Sequence, residues 1–298
     1  MYNRSHKTIA RSREKTETAM PLSDPDKNLR LAVLIDADNA HRDCLGGIME
    51  EVAIYGTPNT KRAYGDWSSS NLSGWKQTLL DNSVTAVQQF AYTRGKNSTD
   101  SAMIIDAMDI LYAGNTDGFV LVSSDSDFTG LARRLRESGL FVIGIGEQKT
   151  PKPLISACNK FIYIEVIRER TKKAEKAPAK KTPSKSAAAK KAPAKKAAEP
   201  EPETARTPSA EPKRIPESVV WLIADSILDL AENAEDDYVS LGSVGQLIQK
   251  KRPDFDTRSY GFSKLSGMVK AIDRFEVLER EDKNDPRSKN VYIRDLEM

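Results

Sequence analysis

Two aspartates stand one residue apart in Ser123-Ser124-Asp125-Ser126-Asp127-Phe128, directly after the apolar run Gly118-Phe119-Val120-Leu121-Val122. An earlier apolar run, Leu31-Ala32-Val33-Leu34-Ile35, ends at Asp36, with Asp38 and Asn39 just beyond. Continuous apolar runs read as parallel strands buried on both faces, and groups at the carboxyl ends of such strands line the crevice where α/β sheets hold ligands. Carboxylates gathered there repel one another unless a cation joins them. Mg²⁺ and Mn²⁺, hard ions that prefer oxygen ligands, suit such a set. The plainer reading is helix capping, because Asp and Asn at a strand-to-helix turn accept backbone N–H bonds. One cap explains one acid and leaves the other three of Asp36, Asp38, Asp125 and Asp127 unexplained. Asp127 suits both parts.

Asp100 and Asp106 fall on one expected helix, six residues apart, which at 100° per residue sets them about 120° apart around its axis. They cannot both face one ion squarely. Asp100, at the helix start, is the better ligand, while Asp106 either projects lower into the site or caps a polar stripe, and Asp109 belongs to the surface. Asp66, ending the Tyr64-Gly65-Asp66-Trp67 run, can approach the same edge; Trp67 either stacks a base or packs against the sheet. Arg94 and Lys96, with Arg133, Arg134 and Arg136 after Asp127, read either as a phosphate grip around the acids or as solvated charge.

The elements that must position these groups are legible as an alternation. Leu31 to Asp36, Lys61 to Trp67, Thr85 to Tyr92, Gly118 to Ser124, Leu140 to Gly146 and Phe161 to Glu165 read as strands. Asp100 to Tyr112 and Phe128 to Ser138 carry apolar residues at helical spacing. Alternating strands and helices predict an α/β fold, a mostly parallel sheet with helices on both faces and right-handed crossovers.

The 298 residues carry a net charge of +3 that is strongly segregated. Thr171 to Arg214 holds 11 Lys and 2 Arg against 5 Glu, a balance of +8, and residues 215–298 hold 12 basic against 17 acidic side chains, a balance of −5. The middle stretch, built from Ala, Lys, Pro, Glu and Thr with no aromatic residue, reads as an extended linker. It serves either as a solubilising spacer or as a nonspecific polyanion tether, since each lysine near a phosphate releases a counterion. Its composition is similar to that of linker-histone tails. Residues 1–28 are polar and lack periodicity, and read as a disordered arm. Two cysteines, Cys44 and Cys158, and two histidines, His6 and His41, are too few for a disulfide framework or a thiolate zinc site. With no apolar stretch of transmembrane length and no apolar signal region at the start, the expectation is a soluble, unsecreted, cytoplasmic protein with no membrane partner.

After the linker, Pro216 to Glu232, a stretch capped by Ser240, and Tyr260 to Ile272 read as three helices. Phe275 to Glu279 and Asn290 to Arg294 read as a hairpin. Three helices and a hairpin make a winged-helix layout. The expected organisation is an arm (1–28), a first domain (29–167), a linker (168–214) and a second domain (215–298).

Leu34-Ile35-Asp36-Ala37-Asp38-Asn39, Tyr64-Gly65-Asp66-Trp67, the stretch from Gly95 to Ala107 that contains Lys96-Asn97-Ser98-Thr99-Asp100, and Val122 to Phe128 follow one another in an order that resembles the NYN domain family, the LabA-like branch of the PIN-type nuclease superfamily. The resemblance covers residues 29–167. It implies a PIN-like sheet and a metal-dependent ribonuclease that leaves a 5′-phosphate. It places the family's first-strand acid on Asp36, its adjacent polar position on Asn39, its helix acid on Asp100 with Asp106 as a second acidic position, and its Ser-Gly-Asp-x-Asp-Phe loop on Ser123 to Phe128, where Ser124 replaces the usual Gly. Phosphodiester hydrolysis must bring hydroxide to an anion and stabilise a leaving oxygen, tasks suited to divalent ions. In that chemistry Asp36 and Asp125 are expected to bind the principal ion, Asp100 to share or position a second, Asp127 to orient water or complete the shell, and Asn39 to supply a neutral ligand or hold Asp36. Asp36-Ala37-Asp38 also fits the Asp-x-Asp opening of haloacid dehalogenase-type phosphatases, whose first Asp is a nucleophile, although a downstream lysine and a cap insertion are missing. A noncatalytic RNA-binding adaptor is the rival from outside enzymology.

Val244 to Leu265, with Arg252-Pro253-Asp254-Phe255 and Tyr260-Gly261-Phe262 at its centre, resembles the OST-HTH (LOTUS) domain over residues 216–296. That family implies binding of RNA, single-stranded or structured, or docking of a protein partner. Lys250, Lys251, Arg252, Arg258, Lys264 and Lys270 form a candidate phosphate-facing rim, while Phe255, Tyr260 and Phe262 read as core or as base-stacking residues.

Overall fold

The structure is a computed structural model that describes residues 28–90, 98–176, 215–231, 238–281 and 289–297. The expected arm up to residue 27, Arg94, Lys96 and residues 177–214 of the expected linker lie outside the described residues. Six strands, β1 (Leu29–Asp36), β2 (Gly56–Gly65), β3 (Thr85–Gln88), β4 (Gly118–Val122), β5 (Phe141–Gly146) and β6 (Lys160–Tyr163), form one parallel sheet in the order β3-β2-β1-β4-β5-β6. The β1 and β2 registers slip between Leu31 and Ala32, opposite Pro58, a residue with no N–H to give to a ladder.

The apolar runs are continuous because both faces are covered. Leu31, Val33 and Ile35 of β1 join the core cluster beneath α1 (Leu45–Val52), α2 (Trp75–Asp81) and α6 (Ile164–Lys176). Ala32 and Leu34 face the opposite cluster with α3 (Ser98–Ala113), α4 (Thr129–Glu137) and α5 (Lys152–Ala157). The path β1-β2-β3 runs to one edge of the sheet, and α3 then returns the chain to β4, beside β1. The order of strands therefore reverses between β1 and β4, which opens a crevice at their carboxyl ends.

Several elements differ from the sequence expectation. The stretch expected as a strand to Glu165 turns helical at Ile164, and α6 continues to Lys176, past residue 167, where the linker was expected to begin. A short apolar run fits either conformation. Here Ile164 and Ile167, one helical turn apart, are buried against α1, and Gly47 of α1 lets them approach closely: a Cβ there would meet Ile167 Cγ2 at 2.7 Å. Trp67 lies beyond the end of β2.

In the second domain α7 (Glu217–Ala231), α8 (Leu241–Lys251) and the short α9 (Leu265–Val269) pack on an antiparallel sheet ordered β7 (Val239–Ser240), β9 (Lys289–Asp295), β8 (Phe275–Glu281). A 3₁₀ turn at Thr257–Tyr260 precedes α9 where one longer helix was expected, because Gly261 takes φ 88° and ends that turn. The short β7 was not foreseen. Phe255 and, in part, Tyr260 and Phe262 belong to this domain's core. Among the described residues no helix is long and apolar enough to cross a membrane.

Gly146, at the end of β5, ties the sheet to the crevice, since a Cβ there would lie 2.8 Å from both the Ser123 carbonyl oxygen and Thr150 Oγ1. Gly146→Ala is expected to lower the unfolding free energy by about 1–3 kcal/mol through overpacking, measured by chemical denaturation. An unchanged midpoint would show that the β4 end yields freely.

Candidate functional site

Each acid reaches the crevice for a local reason. Asp36 is the last residue of β1 and is buried, 1% exposed. Its Oδ2 accepts from Ser123 Oγ at 2.8 Å and from Asn39 Nδ2 at 2.9 Å, and its Oδ1 accepts from the Asn39 N–H at 3.3 Å. Ser123, just beyond β4, works in two directions: its hydroxyl also accepts from the Asp125 N–H at 3.0 Å. Asp125 caps the 3₁₀ turn Ser126–Phe128, its side chain accepting from the Asp127 N–H at 2.9 Å. Ser124 accepts from the Glu147 N–H at 2.8 Å and so ties this loop to the end of β5.

One carboxylate oxygen each from Asp100, Asp125 and Asp127 lie within 4.8 Å of one another. Asp100 comes from the first turn of α3, where the helix dipole favours an anion. Burial and then the charges of Asp36, Asp125, Asp127 and Asp38 nevertheless push its pKa up from 3.8 to about 6. Burial likewise raises that of Asp36, against the bonds from Asn39 and Ser123. A partly buried triad of carboxylate oxygens in one another's field, one of them resisting ionisation, is the donor set that a hard divalent cation fits.

The structure sorts the expected residues. Asp100, Asp125 and Asp127 meet. Asp36, expected as a direct ligand of the principal ion, lies deeper, with its oxygens engaged by Asn39 and Ser123 and its charge close enough to raise the Asp100 pKa. Asp38 is exposed and adds only charge. Asp106 is turned away, because the angle between it and Asp100 points it at β2, where it accepts from Arg62 and from the Tyr64 hydroxyl. Trp67 covers the sheet: its Nε1 donates to the Val87 carbonyl at 2.9 Å and its ring meets Trp75 edge-on at 6.3 Å. Arg133 and Arg134 are exposed on α4, and Arg136 instead donates to the carbonyls of Ser156 and Ala157.

In the second domain, Lys250 and Lys264 are exposed, Lys251 lies 2.7 Å from both Asp225 and Asp229, and Arg252 lies 3.7 Å from Asp254. Arg258, expected on the phosphate-facing rim, instead pairs with Glu51 and Asp256. Ser123 is the site residue the sequence reading missed as a participant, although its place at the end of an apolar run, two before an Asp, was a signal.

Because the folded pKa of Asp100 lies above 3.8, its protonated form stabilises the fold at low pH, and that contribution is lost as pH rises through about 6. In metal-free protein, Asp100→Asn should therefore be more stable than the parent at alkaline pH, by about 1–2 kcal/mol after solvent screening. The gap should close on acidification. Paired denaturation curves across this range check it, and a gap independent of pH would refute the like-charge account.

The NYN domain model matches residues 30–165, and the OST-HTH/LOTUS domain model matches residues 222–286. No curated protein matches the chain. Among solved structures, a Vibrio parahaemolyticus protein of unknown function is 18% identical over 47% of this chain and 94% of its own, with a TM-score of 0.41. An uncharacterized protein from Nitrosomonas europaea is 32% identical over 34% of this chain and 90% of its own, with a TM-score of 0.24. A Chromobacterium violaceum protein segment is 26% identical over 28% of this chain and 86% of its own, with a TM-score of 0.23. With a PIN-like doubly wound sheet in the first matched region and a helical module closed by a hairpin in the second, the chain is an NYN domain protein with a C-terminal OST-HTH/LOTUS domain.

Proposed function

We propose that this protein is a divalent-metal-dependent ribonuclease, with Mg²⁺ or Mn²⁺ held by Asp100, Asp125 and Asp127, and that its OST-HTH/LOTUS domain engages RNA. The observation that carries this reading is the convergence of those three carboxylates, with Asp36 behind them, at the switch point of a sheet of the NYN type. When bound, the ion supplies charge neutralisation at a phosphodiester and an acidified water. The protein's own residues do the rest. Ser123 and Asn39 hold the Asp36 carboxylate at the rear of the site, where its charge deepens the field that attracts a cation. The Asp125 N–H bond to Ser123 fixes the loop that presents Asp125 and Asp127, and the exposed Asp127 is placed to orient a water on the open side.

A phosphatase using Asp36 as nucleophile is disfavoured by that residue's 1% exposure. A binding-only adaptor would have no use for a pKa-raising crowd of four acids, which costs stability unless a cation relieves it. The test is cleavage of end-labelled single-stranded and structured RNAs with Mn²⁺ or Mg²⁺ and with EDTA. The parent should shorten RNA only with metal, and Asp36→Asn, Asp100→Asn and Asp125→Asn should each cut the rate by about 100-fold or more. Asp106→Asn should remain active. Metal-independent cleavage, or full activity in Asp125→Asn, would overturn the proposal, and binding of RNA without cleavage under every metal condition would establish the adaptor.

A further inference from the structure

Glu51, near the end of α1, is 1% exposed, too buried for its carboxylate to be hydrated. Its partners come from both domains. Arg170 of α6 donates to Oε2 at 3.1 Å, while Arg258 of the OST-HTH domain makes a two-pronged pair, Nη1 to Oε2 at 2.8 Å and Nη2 to Oε1 at 2.7 Å. Asp256 holds Arg258 in this pose, accepting from its Nε at 3.0 Å and from its Nη2 at 2.6 Å. Arg258 thus gives both ends of its planar fork to carboxylates, the geometry at which guanidinium outperforms an ammonium.

The contacts around this pair are also polar and paired. β6 is an edge strand, whose outward N–H groups must be covered or left to water. Its Phe161 N–H donates to the Pro253 carbonyl at 2.9 Å. Beside it Lys160 Nζ donates to Gln249 Oε1 at 2.6 Å and to the Phe255 carbonyl at 3.2 Å, and the Tyr163 hydroxyl donates to Asp254 Oδ2 at 2.8 Å. Residues 177–214 separate the two domains in sequence. At up to about 3.5 Å per residue, a stretch of that length does not dictate where the second domain sits. The side chains do.

We propose that Gln249 to Arg258 form a plug with which the OST-HTH domain docks in cis on the β6 edge and α1 of the NYN domain, with Arg258 seated in a socket built around Glu51. Undocking breaks both Arg258 bonds to Glu51 and leaves Arg170 as its hydrogen-bonded partner among the described residues. α1 runs from the end of β1 that carries Asp36 back toward the other end of the sheet, where Glu51 and the start of β6 lie.

The full chain tests this without reference to cleavage. Hydrogen exchange at the Phe161 amide should be about tenfold or more slower in the parent than in Arg258→Met. After trypsin has nicked the lysine-rich segment 177–214, the two halves of the parent should co-elute on gel filtration and those of Arg258→Met should separate. Glu51→Met/Arg258→Met, which removes both members of that ion pair, should retain more protection than Arg258→Met alone, which separates loss of the plug from general unfolding. Equal exchange in parent and Arg258→Met, separate elution of the parent halves, no recovery in the double variant, or protection that falls on dilution, the mark of a second copy filling the socket, would each overturn the proposal.

Discussion

Like-charge crowding at the carboxyl ends of β1 and β4 is the constraint on which this molecule turns. A sheet interior supplies no water to screen Asp36, so its charge is tolerated only because Ser123 and Asn39 donate to it and because the crevice opens toward solvent at Asp127. The same field reaches Asp100 and resists its ionisation. Two saturated core layers keep the strand ends from spreading to relieve the repulsion. The rigidity of the scaffold is what turns a set of acids into a site.

The chain carries a second buried acidic group and treats it differently. Glu51 and Asp256 receive their counter-charge from within, from Arg258 and Arg170. Burial would raise the pKa of Asp256, yet the hydrogen bonds from Arg258 hold it below the ordinary carboxylate value. The contrast is informative. Where the protein provides its own arginines, the cluster is a fastening; where Asp36, Asp100, Asp125 and Asp127 crowd together, burial and like charge instead push the Asp100 pKa up to about 6.

The charge segregation along the chain acquires meaning in this light. Residues 215–298 are acidic overall, and part of their basic complement is spent locally, Lys251 on Asp225 and Asp229 and Arg258 on the seam. Lys250 and Lys264 remain exposed. The excess positive charge lies instead in Thr171 to Arg214, between the two domains.

The sequence alone determined the alternation of strands and helices, the parallel sheet, and the arrival of Asp36, Asp125 and Asp127 at strand ends, because a strand buried on both faces must be apolar throughout and a polar residue marks where it emerges. It also determined the second domain's first two helices and its hairpin, whose periods of 3.6 and 2 are local properties. It did not determine that Asp106 would turn to Arg62, that Ser123 would donate to Asp36, or that Ile164 would begin a helix. Each of these depends on which neighbour occupies the facing surface, and that is a tertiary matter. Least legible of all was Arg258, which looked like one more surface cation until the fold set it against Glu51, more than two hundred residues earlier in the chain.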